Sequence, residues 1–212
     1  YGFPGHTPAN WDATLAWALG LGPEHLSAYA FLAEPGTPLG EEVLSGRCRL
    51  PADADQADAY ASFVARAAAA GLGGYETSNV CRPDEESRHN LVYWLRRPYV
   101  GLGPSAHGFV GGERYGNLRD TAAWAGTLAR GGLPEAEREP ENAASAAREV
   151  VMLGLRLSSG LVAADYPASL WAEVERRYGA TLREAVAGGR LVARANGWAL
   201  PVALRFVADE VL

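Results

Sequence analysis

Lysine is missing from this 212-residue chain. All 19 basic side chains are arginine, set against 25 acidic ones, for a net charge of −6. Codon bias in a GC-rich genome accounts for the missing lysine, and an acidic chain offers no general field to attract nucleic acid. Cysteine is almost missing too. Cys48 and Cys81 make neither a CxxC pair nor a disulfide framework, which fits a reducing, cytoplasmic setting. No apolar run approaches the ~20 residues a membrane helix needs. No basic segment followed by an apolar one marks a secretory leader. The first residue is Tyr rather than Met, and Tyr1-Gly2-Phe3-Pro4-Gly5 reads as a loop leaving a strand, so we expect an N-terminal part to be missing.

What is present is ordinary globular material, 48% hydrophobic and 21% charged. A chain this long buries about 70% of its unfolded surface. Thr7-Pro8 opens a helix carrying Trp11, Leu15 and Leu19 at helical spacing. The run from His25 to Leu32 reads as a parallel strand buried on both faces. Asp53 caps a helix with Gln56 at the capping-box position, and Gly74–Ser78 is a second strand. This alternation predicts an α/β parallel sheet, with chemistry on the loops after the strands. Asp120 caps a further helix.

Residues 133–142, acidic and twice broken by proline, predict a domain junction. The expected domains are therefore 1–133 and 134–212. The second holds helical segments near 141–157, 168–178 and 179–188, an Asn196-Gly197 hairpin and a last helix from Pro201, an order that suggests a winged-helix-like module. Its arginines, Arg176, Arg177 and Arg183 among them, read as a solvated face countered by Glu173, Glu175 and Glu184.

The most informative word is Arg88-His89-Asn90-Leu91-Val92-Tyr93-Trp94. On a helix, His89 and Tyr93 share a face, as do Asn90 and Trp94. An imidazole beside two aromatic surfaces suits a flat, metal-bearing ligand. Taken alone, these residues favour the plainer reading of an exposed histidine beside a buried Tyr-Trp pair. In Tyr99–Gly108, three glycines allow close backbone approach, and exposed amides there suit a carboxylate or a nucleotide; tight steric passage is the alternative. His89, His107 and Cys81 fit no standard zinc spacing. Glu76 ends a strand and reads equally as a site acid or as a solvated carboxylate.

Several words together resemble the HemW-type haem chaperones, radical S-adenosylmethionine proteins related to oxygen-independent coproporphyrinogen III oxidase. They are Tyr1–Gly5, Gly22–Tyr29, Glu34–Leu39, Tyr75–Asn79, His89–Trp94 and Gly101–Gly108. The resemblance implies the C-terminal part of a partial (β/α) TIM-like radical SAM barrel, followed by a small, mostly helical, winged-helix-like domain. It implies haem binding by the HNxxYW word, His89, Asn90, Tyr93 and Trp94, with His89 on the iron, and so reverses the plainer reading. Leu32 and His107 stand where the related oxidases approach S-adenosylmethionine. The intact protein would carry a [4Fe-4S] cluster and S-adenosylmethionine and pass haem to an acceptor protein, a respiratory protein being the candidate. Its CxxxCxxC motif is absent here, so this chain alone would be no enzyme. The position two before the motif histidine, often cysteine in relatives, is Ser87. The alternatives are a radical coproporphyrinogen oxidase and a non-catalytic winged-helix regulatory module.

Overall fold

The computed structural model describes residues 1–208. They fall into two compact units, residues 1–87 with 202–208, and residues 88–201. In the first, α1 (Pro8–Gly20) leads to β1 (His25–Ser27), α2 (Pro38–Leu44), α3 (Asp53–Ala69), β2 (Gly73–Gly74) and β3 (Asn79–Cys81). Thr7 caps α1 as expected, in a capping box closed by Asn10. Asp53 caps nothing. It is the first residue of α3, whose N-cap is Ala52, and its charge lies in the first turn, where the helix dipole favours it. One face of α3 supplies Tyr60, Phe63 and Ala67 to a core shared with Leu15, Leu72 and Val80. Trp11 closes its edge by donating from Nε1 to the Ala59 carbonyl at 2.8 Å.

The parallel sheet takes a modified form. β1 and β2 run in the same direction, joined through α2 and α3, but β3 lies between them and pairs antiparallel with both. The cause is local. The chain reverses just after β2, with the Tyr75 amide bonded to the Asn79 carbonyl at 3.2 Å, and the returning strand takes the edge that β1 would have used. The expected strand 74–78 is thus mostly turn, and β1 ends at Ser27, well before Leu32.

The second unit opens with α4 (Arg88–Trp94). It continues through β4 (His107–Val110), β5 (Glu113–Asn117), α5 (Thr121–Ala129), β6 (Glu135–Pro140), α6 (Ala143–Gly154), β7 (Leu161–Val162), α7 (Ala168–Ala187), β8 (Val192–Arg194) and β9 (Gly197–Ala199). Asp120 caps α5 as expected, accepting from the Ala123 amide at 2.7 Å. The stretch expected as a junction is mostly β6, an edge strand of the sheet β4-β5-β6, where Pro140 closes the strand and costs no interior hydrogen bond. The two expected helices over 168–188 are one, because Gly179 is buried within α7 and the Arg183–Glu175 pair closes over it. The hairpin β8–β9 forms, but Ala195 and Asn196 make its turn. Gly197 lies inside β9, where a Cβ would run into the Leu161 carbonyl of β7. After Pro201 a short 3₁₀ turn, Val202–Leu204, stands where a helix was expected, and that helix's end lies outside the described residues. Among the described residues, no helix is long and apolar enough to cross a membrane.

Phe63 is 1% exposed at the centre of the first unit's core. Phe63→Ala is expected to cost about 3–5 kcal/mol by cavity formation. Arg66→Ala, which removes only the exposed pair with Asp12, should stay within about 0.5 kcal/mol. Urea unfolding of both variants checks the contrast; equal losses would contradict this packing.

Candidate functional site

Helix α4 is seven residues long and ends abruptly. Arg96 takes a left-handed backbone, φ 54°, and its amide bonds to the Tyr93 carbonyl while that of Arg97 bonds to Val92. Such a helix end normally takes glycine, and an arginine there carries a strain of about 1 kcal/mol. The side chain offsets it. Arg96 donates from Nε to Glu149 of α6 at 2.7 Å, and its Nη2 faces Glu141.

The i, i+4 spacing puts His89 and Tyr93 on one face, as the sequence predicts. Their Nε2 and hydroxyl are hydrogen-bonded at 2.9 Å, and the rings stand nearly perpendicular. Tyr93 also meets Tyr99 edge to face, centroids 4.6 Å apart. Both His89 and Tyr93 are exposed. Val100, next to Tyr99, and Leu102 are exposed apolar side chains. Trp94 is half-buried, with the Arg156 guanidinium 5.8 Å from its ring centroid, and Asn90 is half-buried on the same helix. The word therefore splits into an open His89–Tyr93 face and an inward Asn90–Trp94 one.

Tyr99 is fixed by the sheet. It bridges Phe109 of β4 through paired backbone bonds of 2.8 and 2.9 Å, and its hydroxyl accepts from Arg114 Nη1 of β5 at 3.2 Å. Arg96 and Arg114 both lie over the Phe109 ring, at 4.6 and 4.8 Å. Glu149 accepts from both guanidiniums.

The glycine loop is pinned from inside. Tyr115 accepts from the Gly101 amide at 2.9 Å, and the buried Asn117 donates to the Gly101 and Gly103 carbonyls. The Ser105 and Ala106 amides bond to Leu118 and Gly103. The Gly101, Ser105 and Ala106 amides already have partners, and at Gly101 the glycine is steric, since a Cβ there would strike the His107 carbonyl. His107 is exposed, its ring beside Gly116, opposite Glu137 of β6. Leu32 belongs to the first unit and is 75% exposed.

Glu76 is 2% exposed, which overturns its reading as a solvated carboxylate. It accepts from the Ser78 amide at 3.0 Å and from Asn79 Nδ2, while Asn79 also accepts from Ser27 and donates to Tyr29 at 3.2 Å. Burial pushes the Glu76 carboxyl above the ordinary range, against the pull of hydrogen bonds from Asn79, Ser78 and Thr77. Sequence reasoning missed this hub at Asn79, as well as Tyr99, Arg114 and Glu149. Only Tyr99, an aromatic opening the glycine loop, carried any local signal.

A cluster finds no ligand set in this chain. Cys81 is buried with its thiol pushed up by burial, and Cys48 is the other cysteine. Two thiols cannot supply the three a site-differentiated cluster requires. Among the described residues, no group of three His, Cys, Asp or Glu side chains is placed to hold a metal ion.

Residues 142–203 match the family model of the HemN C-terminal domain. The whole chain superposes on 52% of the structure described as "Coproporphyrinogen III oxidase (HemN) from Escherichia coli is a Radical SAM enzyme", with a TM-score of 0.75 at 16% identity. The fold is therefore the mixed α/β one of that radical SAM enzyme. Over 215 residues the chain is 37% identical to the Heme chaperone HemW of Mycobacterium tuberculosis, covering all of this chain and 52% of that protein. It is 32% identical to the Heme chaperone HemW of Bacillus subtilis over 161 residues, which cover 76% of this chain and 42% of that one. The chain is similar to these HemW proteins and spans about half the length of the curated relatives it matches.

The raised pKa of Glu76 sets a pH dependence. Its folded-state pKa lies above its unfolded one, so its stabilising contribution is complete below the unfolded pKa and is lost as pH rises through the folded one. Glu76→Gln should therefore gain stability over the parent at about pH 8 and lose that advantage by about pH 4. Thermal unfolding at the two pH values checks this; a penalty of equal size at both would contradict it.

Proposed function

We propose that this chain is the haem-handling half of a haem chaperone. The observation that carries the reading is the open His89–Tyr93–Tyr99 face, in a chain 37% identical to a heme chaperone. Haem is the cargo. His89 offers an imidazole at the surface, and the Tyr93 hydroxyl holds its Nε2 in a fixed direction. Binding iron through Nε2 requires that hydroxyl to yield the nitrogen, so Tyr93 both orients the ligand and gates it. Tyr93, Tyr99 and the exposed Val100 give the macrocycle an apolar border, and Asn90 and Trp94 anchor the helix from its inner side. An exposed site suits cargo that must leave again for an acceptor protein.

The [4Fe-4S] cluster and S-adenosylmethionine belong to the intact protein in this reading. When bound they supply radical chemistry, and the cluster's cysteine ligands come from outside this chain. Leu32 and His107 are proposed to approach S-adenosylmethionine there. Residues 134–212 are proposed as the module beyond the barrel, winged-helix-like in its order of helices and hairpin. The likeness to HemN supports the fold alone, and oxidase activity is a separate question answered by incubating the intact protein with coproporphyrinogen.

Hemin titration followed at the Soret band tests the reading. The parent protein is expected to bind hemin, and His89→Ala to weaken binding about tenfold or more, a loss of about 1.4 kcal/mol or above. Tyr93→Phe keeps the ring and should bind as well as the parent or better, since the competing hydroxyl is gone. Equal affinity of the parent and His89→Ala would overturn the assignment.

A further inference from the structure

We propose that Glu149, 60 residues beyond His89 in the chain, is a positioning residue for that imidazole; for its haem-binding part this rests on the reading above. The contacts form one continuous line. Glu149 accepts from Arg96 Nε and Arg114 Nη2. Arg96 is the left-handed residue that stops α4, so its anchorage sets where the helix ends and how its His89–Tyr93 face is turned. Arg114 donates to the Tyr99 hydroxyl, Tyr99 meets the Tyr93 ring, and Tyr93 is bonded to His89. The carboxylate thus reaches the imidazole by two routes, along the helix and across the aromatic pair.

The energetics favour a stiff connection. The Arg96 side chain is 9% exposed and that of Glu149 23%, so their pair is screened far less than a surface one. Both guanidiniums share the Phe109 face, and Glu149 is the carboxylate common to both, Glu141 facing Arg96 alone, so without Glu149 they would repel each other. Neutralising Glu149 leaves Arg114 without its carboxylate beside Arg96, which keeps only Glu141, and the relief is for Arg114 to leave Tyr99 or for Arg96 to leave its strained conformation. Either movement frees Tyr93. Glu149 also lies within the segment matched by the HemN C-terminal domain, so that segment would tune the imidazole from outside the helix that bears it.

The test uses Glu149→Gln, with Tyr99→Leu as a second variant that leaves both ion pairs intact should the first not fold. Two readouts are taken on the full chain. The first is the His89 ring carbon–proton signal in two-dimensional NMR without hemin, compared with that of Tyr93→Phe, which lacks the hydroxyl partner. The second is the hemin titration with its Soret maximum. In both variants the His89 signal is expected to move toward its position in Tyr93→Phe, while the amide signals of α7 stay in place. Hemin affinity is expected to fall about tenfold, with a displaced Soret maximum, because both variants release the Tyr93 ring that Tyr93→Phe leaves packed on Tyr99. An unmoved His89 signal in folded Glu149→Gln and Tyr99→Leu would overturn the positioning role. If the parent binds no hemin but the His89 signal moves, the positioning role stands and the haem reading fails.

Discussion

One carboxylate, Glu149, holds two guanidinium groups over a single phenyl ring. Without it Arg96 and Arg114 would repel each other across Phe109, and the turn that ends α4 would lose one of the two contacts that offset its strain. Removing Glu149 costs less than the ~3–5 kcal/mol of a fully buried pair, since Arg114 is 37% exposed and Arg96 keeps Glu141. The rest of the second unit's site follows from this. The helix stops where it does, Tyr99 lies flush with the sheet edge, and His89 is left at the surface beside a hydroxyl that directs it. Rigid support beneath an open imidazole is a workable design for cargo that must be gripped and then released.

The parts of the fold legible in the sequence were those decided within a few residues. Thr7 and Asp120 cap their helices because a side-chain oxygen needs only a neighbouring amide. Asp53 shows the limit of that logic, since Ala52 already has the extended backbone of a cap and the aspartate falls inside the helix. Strand order was not legible. An apolar run indicates burial without saying on which edge a returning hairpin will insert, and β3 claimed the place between β1 and β2. Gly197 was misread because its neighbour Leu161 lies far off in the chain, so it serves close approach rather than a turn, and Gly179 marks no stop because α7 runs through it under the Arg183–Glu175 pair.

The site divides in the same way. The His89–Tyr93 pair is a matter of helical spacing and could be read directly. The resemblance to HemW-type proteins pointed to the same residues, and the relatives support the family. Arg114 and Glu149 lie 25 and 60 residues beyond His89, the first in a stretch without clear periodicity and the second in the helical segment near 141–157. Glu76 illustrates the converse. Its position at a strand end left a site acid and a solvated carboxylate equally open, and a two-residue strand followed by a tight turn folds it inward, where Asn79 satisfies it.

The most direct test of the central claim, that His89 presents its imidazole to the iron of a bound porphyrin, is electron paramagnetic resonance of the ferric hemin complex in the parent and in His89→Gly, with and without added free imidazole. The account predicts a nitrogen-ligand signature in the parent that is lost in His89→Gly and restored when imidazole fills the vacated space. The same signature in His89→Gly before any imidazole is added would contradict it.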